Sequence, residues 1–311
     1  MAFKKMPTGG YPRRLWALVG FPGSGKSTFA AQMRGPLLAI DADHRFNEVA
    51  GLARAGVYQL SDTPADNVNP ERIAACLRAN MPGADVATVV VDSLTAIMAP
   101  LVTQAILDND AGRNKNRAAA FKEKALALRL LQDAVTAWGT DCLFVYHLQT
   151  GRDASANEQT TATVSRTELA RLQRSINLQL TLTLTDAGAR GVCVDWARRG
   201  RAGLTLWDDT GHWGGMPEKI EAAVYDGLTQ ADQERIERTT PVSFPSAPAA
   251  IAWGFEQGAF DVLEHARNAY DALKREERPD TAAEMWALWL GDVKTRLARK
   301  AAASPAPATE F

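Results

Sequence analysis

Hydrophobic and polar positions follow two rhythms along this chain of 311 residues. In roughly the first two-thirds, short apolar runs alternate with stretches of helical periodicity. Residues 15–19, 37–40, 86–91 and 142–146 are apolar runs that predict strands. Residues 28–34, 70–80 and 118–138 show the three-to-four spacing of helices. Such alternation predicts an α/β domain with a mostly parallel central sheet. Beyond it, residues 178–185 alternate Leu with Gln or Thr, and 191–197 and 203–207 follow at short spacing. These predict an antiparallel extension of the sheet.

The pattern changes near residue 228. Residues 239–248, TTPVSFPSAP, are rich in Pro, Ser and Thr and read as linker. Three helical patterns follow at 249–257, 262–275 and 281–300. They carry Trp253, Phe260, Tyr270, Trp286 and Trp289, enough aromatic surface for a small core. The expected organisation is an N-terminal tail at 1–11, a core domain at 12–227, a linker at 228–248, a helical module at 249–300 and a tail at 301–311.

Composition narrows the classes. Lys and Arg total 35 against 36 Asp and Glu, so no global basic balance points to nucleic acid; such binding must come from local patches. Cys76, Cys142 and Cys193 lie far apart, without metal spacing, as expected of thiols in a reducing compartment. No apolar run approaches the ~18 residues of a membrane span. The opening MAFKKMPTGGYPRR lacks the apolar stretch of a signal peptide, so a cytoplasmic location without membrane contact is expected.

The strongest chemistry follows the first strand. Gly20, Phe21, Pro22, Gly23, Ser24, Gly25, Lys26, Ser27 and Thr28 spell G-x-x-x-x-G-K-S-T between a strand and a helix. A glycine-rich turn at a helix start aims backbone N–H groups at an anion. Lys26 is placed to reach the β- and γ-phosphates of a nucleotide, and Ser27 to hold Mg²⁺. Packing gives no reason for Lys followed by Ser-Thr at that point.

Hydrolysis needs further groups. The strand ending Val89-Val90-Val91-Asp92-Ser93 has the form of a Walker B site, with Asp92 toward Mg²⁺. Ser93 stands where many ATPases keep a catalytic Glu, so the base must come from elsewhere. Asp41, Asp43 and His44 end the neighbouring strand; Asp43 could orient the attacking water, or both carboxylates could cap a turn. His147 or Gln149, after the strand at 142–146, could sense the γ-phosphate. Arg198, Arg199 and Arg201 crowd a turn between two strands, where they could reach a neighbouring subunit's phosphates or form a solvated hairpin.

Together these segments resemble the RecA-type recombinase core. PLLAIDADHRF is similar to that family's second-strand segment, TVVVDSLTAI to its Walker B strand, LFVYHLQTGRD to its sensor strand and ARRGRAGLTLW to its basic hairpin. Within the resemblance Asp43 falls on the catalytic base, one methylene shorter than the usual Glu. His147-Leu-Gln149 replaces the usual Asn-Gln sensor. Arg198 and Arg201 become candidates for a cation given in trans.

The resemblance spans about residues 12–227 and is nearest to compact RecA-core proteins of bacteriophages, including single-strand annealing proteins. It implies an α/β RecA-like P-loop NTPase fold, ATP and Mg²⁺ as cofactors, single-stranded DNA as partner, and a homo-oligomer, ring or filament. For a phage-encoded protein the location would be the bacterial host cytoplasm. It also implies DNA-binding loops at 107–117, with Arg113, Lys115 and Arg117, and at 151–165, bracketed by Arg152 and Arg166. Basic residues there could contact phosphates without reading sequence.

The expected function is therefore DNA-stimulated ATP hydrolysis in recombination or annealing. A small-molecule kinase and a helicase-loader-like nucleotide-binding module are the alternatives. The helical module could recruit a partner such as a single-stranded DNA-binding protein.

Overall fold

A computed structural model describes residues 10–112, 122–152, 158–162, 166–185, 187–230, 244 and 246–303. They fall into two compact units, divided between Arg238 and Thr239.

The first unit is built on one sheet with strand order β3-β2-β4-β5-β1-β7-β8-β9, and β6 paired to β5. The strands are β1 (Leu15–Gly20), β2 (Leu37–Asp41), β3 (Val57–Gln59), β4 (Thr88–Asp92), β5 (Asp141–Arg152), β6 (Glu158–Ala162), β7 (Leu178–Leu184), β8 (Arg190–Ala197) and β9 (Leu204–Trp207). From β3 to β7 along that order, neighbours are parallel; β8 and β9 return antiparallel. The expected fold, a mostly parallel sheet with an antiparallel extension, is the fold observed.

Helices cover both faces: α1 (Lys26–Ala31), α2 (Asn47–Ala50), α3 (Pro64–Val68), α4 (Pro70–Asn80), α5 (Leu94–Asp110), α6 (Lys122–Thr136), α7 (Arg166–Ser175) and α8 (Met216–Tyr225). Alternation along β1 sorts its side chains between two cores. Trp16 and Leu18 face Phe29 of α1 and Ile220 of α8. Ala17 and Val19 face Leu77 of α4, Ile97 of α5 and Leu131 of α6. Continuous burial of Leu37–Asp41 and Thr88–Asp92 is what a parallel strand covered on both faces requires.

The structure corrects the two expected loops. Residues 107–110 are the last turn of α5, not the start of a loop. Residues 151–152 and 158–162 form the ends of a β5–β6 hairpin, and Arg166 opens α7. Arg113, Lys115 and Arg117 lie outside the described residues, as do the side chains of Arg152 and Arg166.

A buried ion pair fixes the base of this unit. Arg14 is 1% exposed and donates to Glu221 Oε2 at 2.5 Å and Glu218 Oε1 at 3.2 Å, while its backbone N–H donates to Asp141 Oδ1.

The second unit holds α9 (Ala247–Glu256), α10 (Leu263–Glu277) and α11 (Ala282–Ala303). Trp289 lies at its centre, stacked on Phe260 at 5.5 Å, with its indole N–H donated to Ala250 O at 2.8 Å. Tyr270 is buried with it, and Trp253 and Trp286 pack against the cluster. A Cβ on Gly254 would come within 2.7 Å of the Trp289 ring, so only glycine lets α9 approach so closely.

Candidate nucleotide site

The loop between β1 and α1 is the start of the site. Gly23 and Gly25 take φ of 79° and 89°, the left-handed region open to glycine. Ser24 N–H closes the turn on Phe21 O at 3.1 Å. Gly25 precedes α1 without a side-chain cap, so the first-turn N–H groups face outward with no side chain satisfying them. Below the loop, Trp213 is fully buried, and a Cβ at Gly25 would meet its indole Nε1 at 2.9 Å. Phe21, Pro22 and Gly23 are exposed at the loop's crest.

Lys26 is 6% exposed, and its Nζ donates to Gly20 O at 3.0 Å and Phe21 O at 2.7 Å. Burial pulls its ammonium below the ordinary lysine value, against the opposing pull of Asp92 and Asp43. Ser27 Oγ donates to Asp92 Oδ2 at 2.6 Å. Asp92, at the end of β4, is 4% exposed. Burial pushes its carboxyl up to about 6, eased by the Ser27 hydrogen bond and reinforced by Asp43 and Asp41. The Asp92–Ser93 peptide bond is cis.

The two carboxylates after β2 have different surroundings. Asp41 is buried, and its oxygens accept from the N–H groups of Arg45 and Phe46 at 3.0 and 2.9 Å; it caps the turn. Asp43 is exposed, and its backbone is held to the Walker B strand, with Ala42 N and Asp43 N donating to Asp92 O.

Lys26, Ser27, Asp43 and Asp92 line one cavity of about 570 Å³ with Gly23, Gly25, Thr28, His147 and Arg190. His147 is half-buried at the point where β5 passes Gly20 of β1. Burial and Lys26 hold its imidazole below the ordinary histidine value, with Asp43 acting the other way. Gln149 lies two residues farther along β5, exposed and paired in register with Thr161 of β6, and does not line the cavity.

Arg198 is committed inside the chain. Its guanidinium donates to the carbonyls of Gln173, Arg174 and Ile176 at 2.9 to 3.2 Å, closing the C-terminal end of α7. Arg201 remains exposed, on a turn whose backbone N–H donates to Val224 O.

Arg190 is a residue that sequence reasoning missed, as it missed Arg45 and Glu48 of the cavity lining and Trp213 beneath the loop. Arg190 Nη1 would stand 3.7 Å from a Cβ on Gly25, directly over the phosphate loop. It opens β8 on the rim where the parallel strands end, because β7 runs parallel to β1 and the turn after it lies at that rim. No local motif marks it; the sheet order alone puts it there.

The profile of a family described as an AAA domain matches residues 13–191, more than half of the chain. The chain belongs to that AAA-domain family. No curated protein matches it at a significant level. Among solved structures, a KaiC-like protein from the hyperthermophilic archaeon Pyrococcus horikoshii is similar at 15% identity and TM-score 0.41, over 66% of this chain and 90% of the other. The RadB recombinase is similar at 19% identity and TM-score 0.41, over 64% and 88%.

The AAA domain has what a nucleotide needs. Ser24 Oγ is buried in the loop with no hydrogen-bond partner among the described residues, and a buried hydroxyl left so is costly unless a ligand completes it. Ser27 and Asp92 supply oxygen donors of the kind a magnesium ion prefers. No helix among the described residues is long and apolar enough to cross a membrane.

Proposed function

We propose that this AAA domain is a RecA-type, Mg²⁺-dependent ATPase that binds single-stranded DNA and acts in phage-type homologous recombination or single-strand annealing. The observation that supports it most is the single cavity lined by Lys26, Ser27, Asp92, Asp43 and His147.

In this reading Lys26 and the loop N–H groups hold the phosphates. Ser27 and Asp92 would hold Mg²⁺, which would neutralise phosphate charge when bound. Asp43 orients the attacking water from the exposed side. His147, kept neutral by burial, contacts the γ-phosphate and reports it along β5. Arg190 adds a cation from the same chain, and Arg201 adds one to a neighbouring subunit in a ring or filament. The segments at 107–117 and 151–165 contact DNA, and the C-terminal unit recruits a single-stranded DNA-binding protein.

The test is steady-state ATPase activity with and without single-stranded DNA. Stimulated turnover that is lost in Asp43→Asn, with nucleotide binding kept, is the expected result. No stimulation together with no DNA retention at low salt would overturn the DNA assignment. Phosphate transfer to a small acceptor would select a kinase, and binding without turnover a loader-like module.

A further inference from the structure

Helices α6 and α7 lie side by side, tied by Lys124 Nζ to Glu168 Oε1 at 2.8 Å. Between them opens a groove of about 540 Å³ that shares no lining residue with the nucleotide cavity. Lys122 and Arg129 line it from α6, Arg171 and Arg174 from α7. Asp133 is the one carboxylate among its lining residues, and it sits 3.7 Å from Arg129 on the exposed surface. Lys122, Arg171 and Arg174 make no ion pair among the described residues.

A second observation points to a ligand. Gln132, in the groove lining, is 5% exposed, and its Nε2 has no hydrogen-bond partner among the described residues. A buried amide donor left unpaired is costly, and such groups normally have an acceptor. No described residue supplies that acceptor here.

Charge and spacing select it. Guanidinium forks match phosphate oxygens better than a point cation does. Lys122, Leu126 and Arg129 share one helical face, and the outer two are separated by about 10 Å along the axis. The cations thus run along the groove instead of surrounding one point, which suits consecutive phosphates. Leu126, 56% exposed between them, offers apolar contact to a sugar or base.

The geometry points to a second nucleic-acid site: the α6–α7 groove takes the phosphodiester backbone of a single strand, with Gln132 donating to a phosphate oxygen. This site goes beyond the proposed function. It needs neither bound nucleotide nor the segments at 107–117 and 151–165.

The test is anisotropy of a fluorescein-labelled oligothymidylate with the full chain, without nucleotide, across a salt series. R171E/R174E should bind about tenfold more weakly at low salt and lower the salt slope by about two, since two phosphate contacts are removed. Its ATPase without DNA should equal that of the unaltered protein. R171K/R174K should keep most of the affinity, and Gln132→Leu should weaken binding a fewfold. Should circular dichroism show R171E/R174E unfolded, R171Q/R174Q carries the same test, with the same expected loss.

Unchanged binding in the folded charge variants overturns the proposal. So does displacement of the oligomer by a mononucleotide at equal concentration. Binding of polyglutamate in place of the oligomer, lost in R171E/R174E, would assign the groove to an acidic protein partner and overturn it too. If the variants lose binding while DNA fails to stimulate the unaltered ATPase, the groove stands and the proposed function falls. Stimulation that persists with unchanged binding in the variants removes the groove and leaves the proposed function standing.

Discussion

Ser27 Oγ and Asp92 Oδ2 lie 2.6 Å apart, joining the phosphate loop to the end of β4 across the sheet. Since β5 lies between β1 and β4 in the sheet, the two reach each other only above the strand ends. There a divalent ion can take both oxygens. Asp92→Ala should weaken Mg²⁺-dependent ATP binding about ten- to a hundredfold, with Ser27→Ala having a smaller effect. Titration calorimetry with and without Mg²⁺ checks this; equal loss in metal-free binding would remove Asp92 from the metal site.

Asp43→Asn keeps the size and the backbone anchor to Asp92 O while removing the charge. Turnover should fall by about two to four orders of magnitude, with nucleotide affinity nearly unchanged. Single-turnover hydrolysis beside a binding isotherm separates the two. Full activity in the variant would return Asp43 to a turn-capping role.

Arg190→Ala takes a guanidinium from over Gly25 without disturbing the core. If Arg190 contacts phosphate in the same chain, kcat/KM should drop about ten- to a hundredfold, the worth of a hydrogen bond to a charged group. The loss should not depend on protein concentration. A defect rescued by mixing with an Asp43→Asn protein would mean that Arg190 serves a neighbouring subunit.

Arg14→Ala strands Glu221, 4% exposed, beside a buried Asp141 whose carboxyl burial already holds above the ordinary value. Breaking a buried pair from one side typically costs about 3–5 kcal/mol. Urea unfolding should register that loss in the first unit. A change within about 0.5 kcal/mol, usual for surface substitutions, would mean that the pair is not buried as described.

The strands were legible wherever burial on both faces makes a run continuously apolar, as in β1, β2, β4 and the start of β5. The helices were less so. α5 escaped notice because Leu94–Asp110 is apolar nearly all round and carries Pro100, which reads as a breaker. β6 is Glu158-Gln-Thr-Thr-Ala, polar enough to pass for loop, and its strand character comes from backbone pairing to β5 alone. Within the site, Lys26 and Ser27 were visible because their motif is contiguous, and Asp92 because it ends an apolar strand. Arg190 and Trp213 were not, since each reaches the loop through sheet order. Asp41 and Asp43 looked alike in sequence, and only the N–H groups of Arg45 and Phe46 tell the cap from the free carboxylate.

β5 is unbroken from Asp141 to Arg152, but its hydrogen-bonding partners change along the way. Up to Phe144 it lies between β4 and β1, Val145 to His147 pair with β1, and from Leu148 onward it pairs with β6. His147 is therefore the last residue of β5 paired to β1 before the β6 pairing begins. About five residues of strand beyond it extend some 17 Å outward. If His147 meets phosphate as proposed, continuous strand backbone joins the nucleotide site to the β5–β6 pairing.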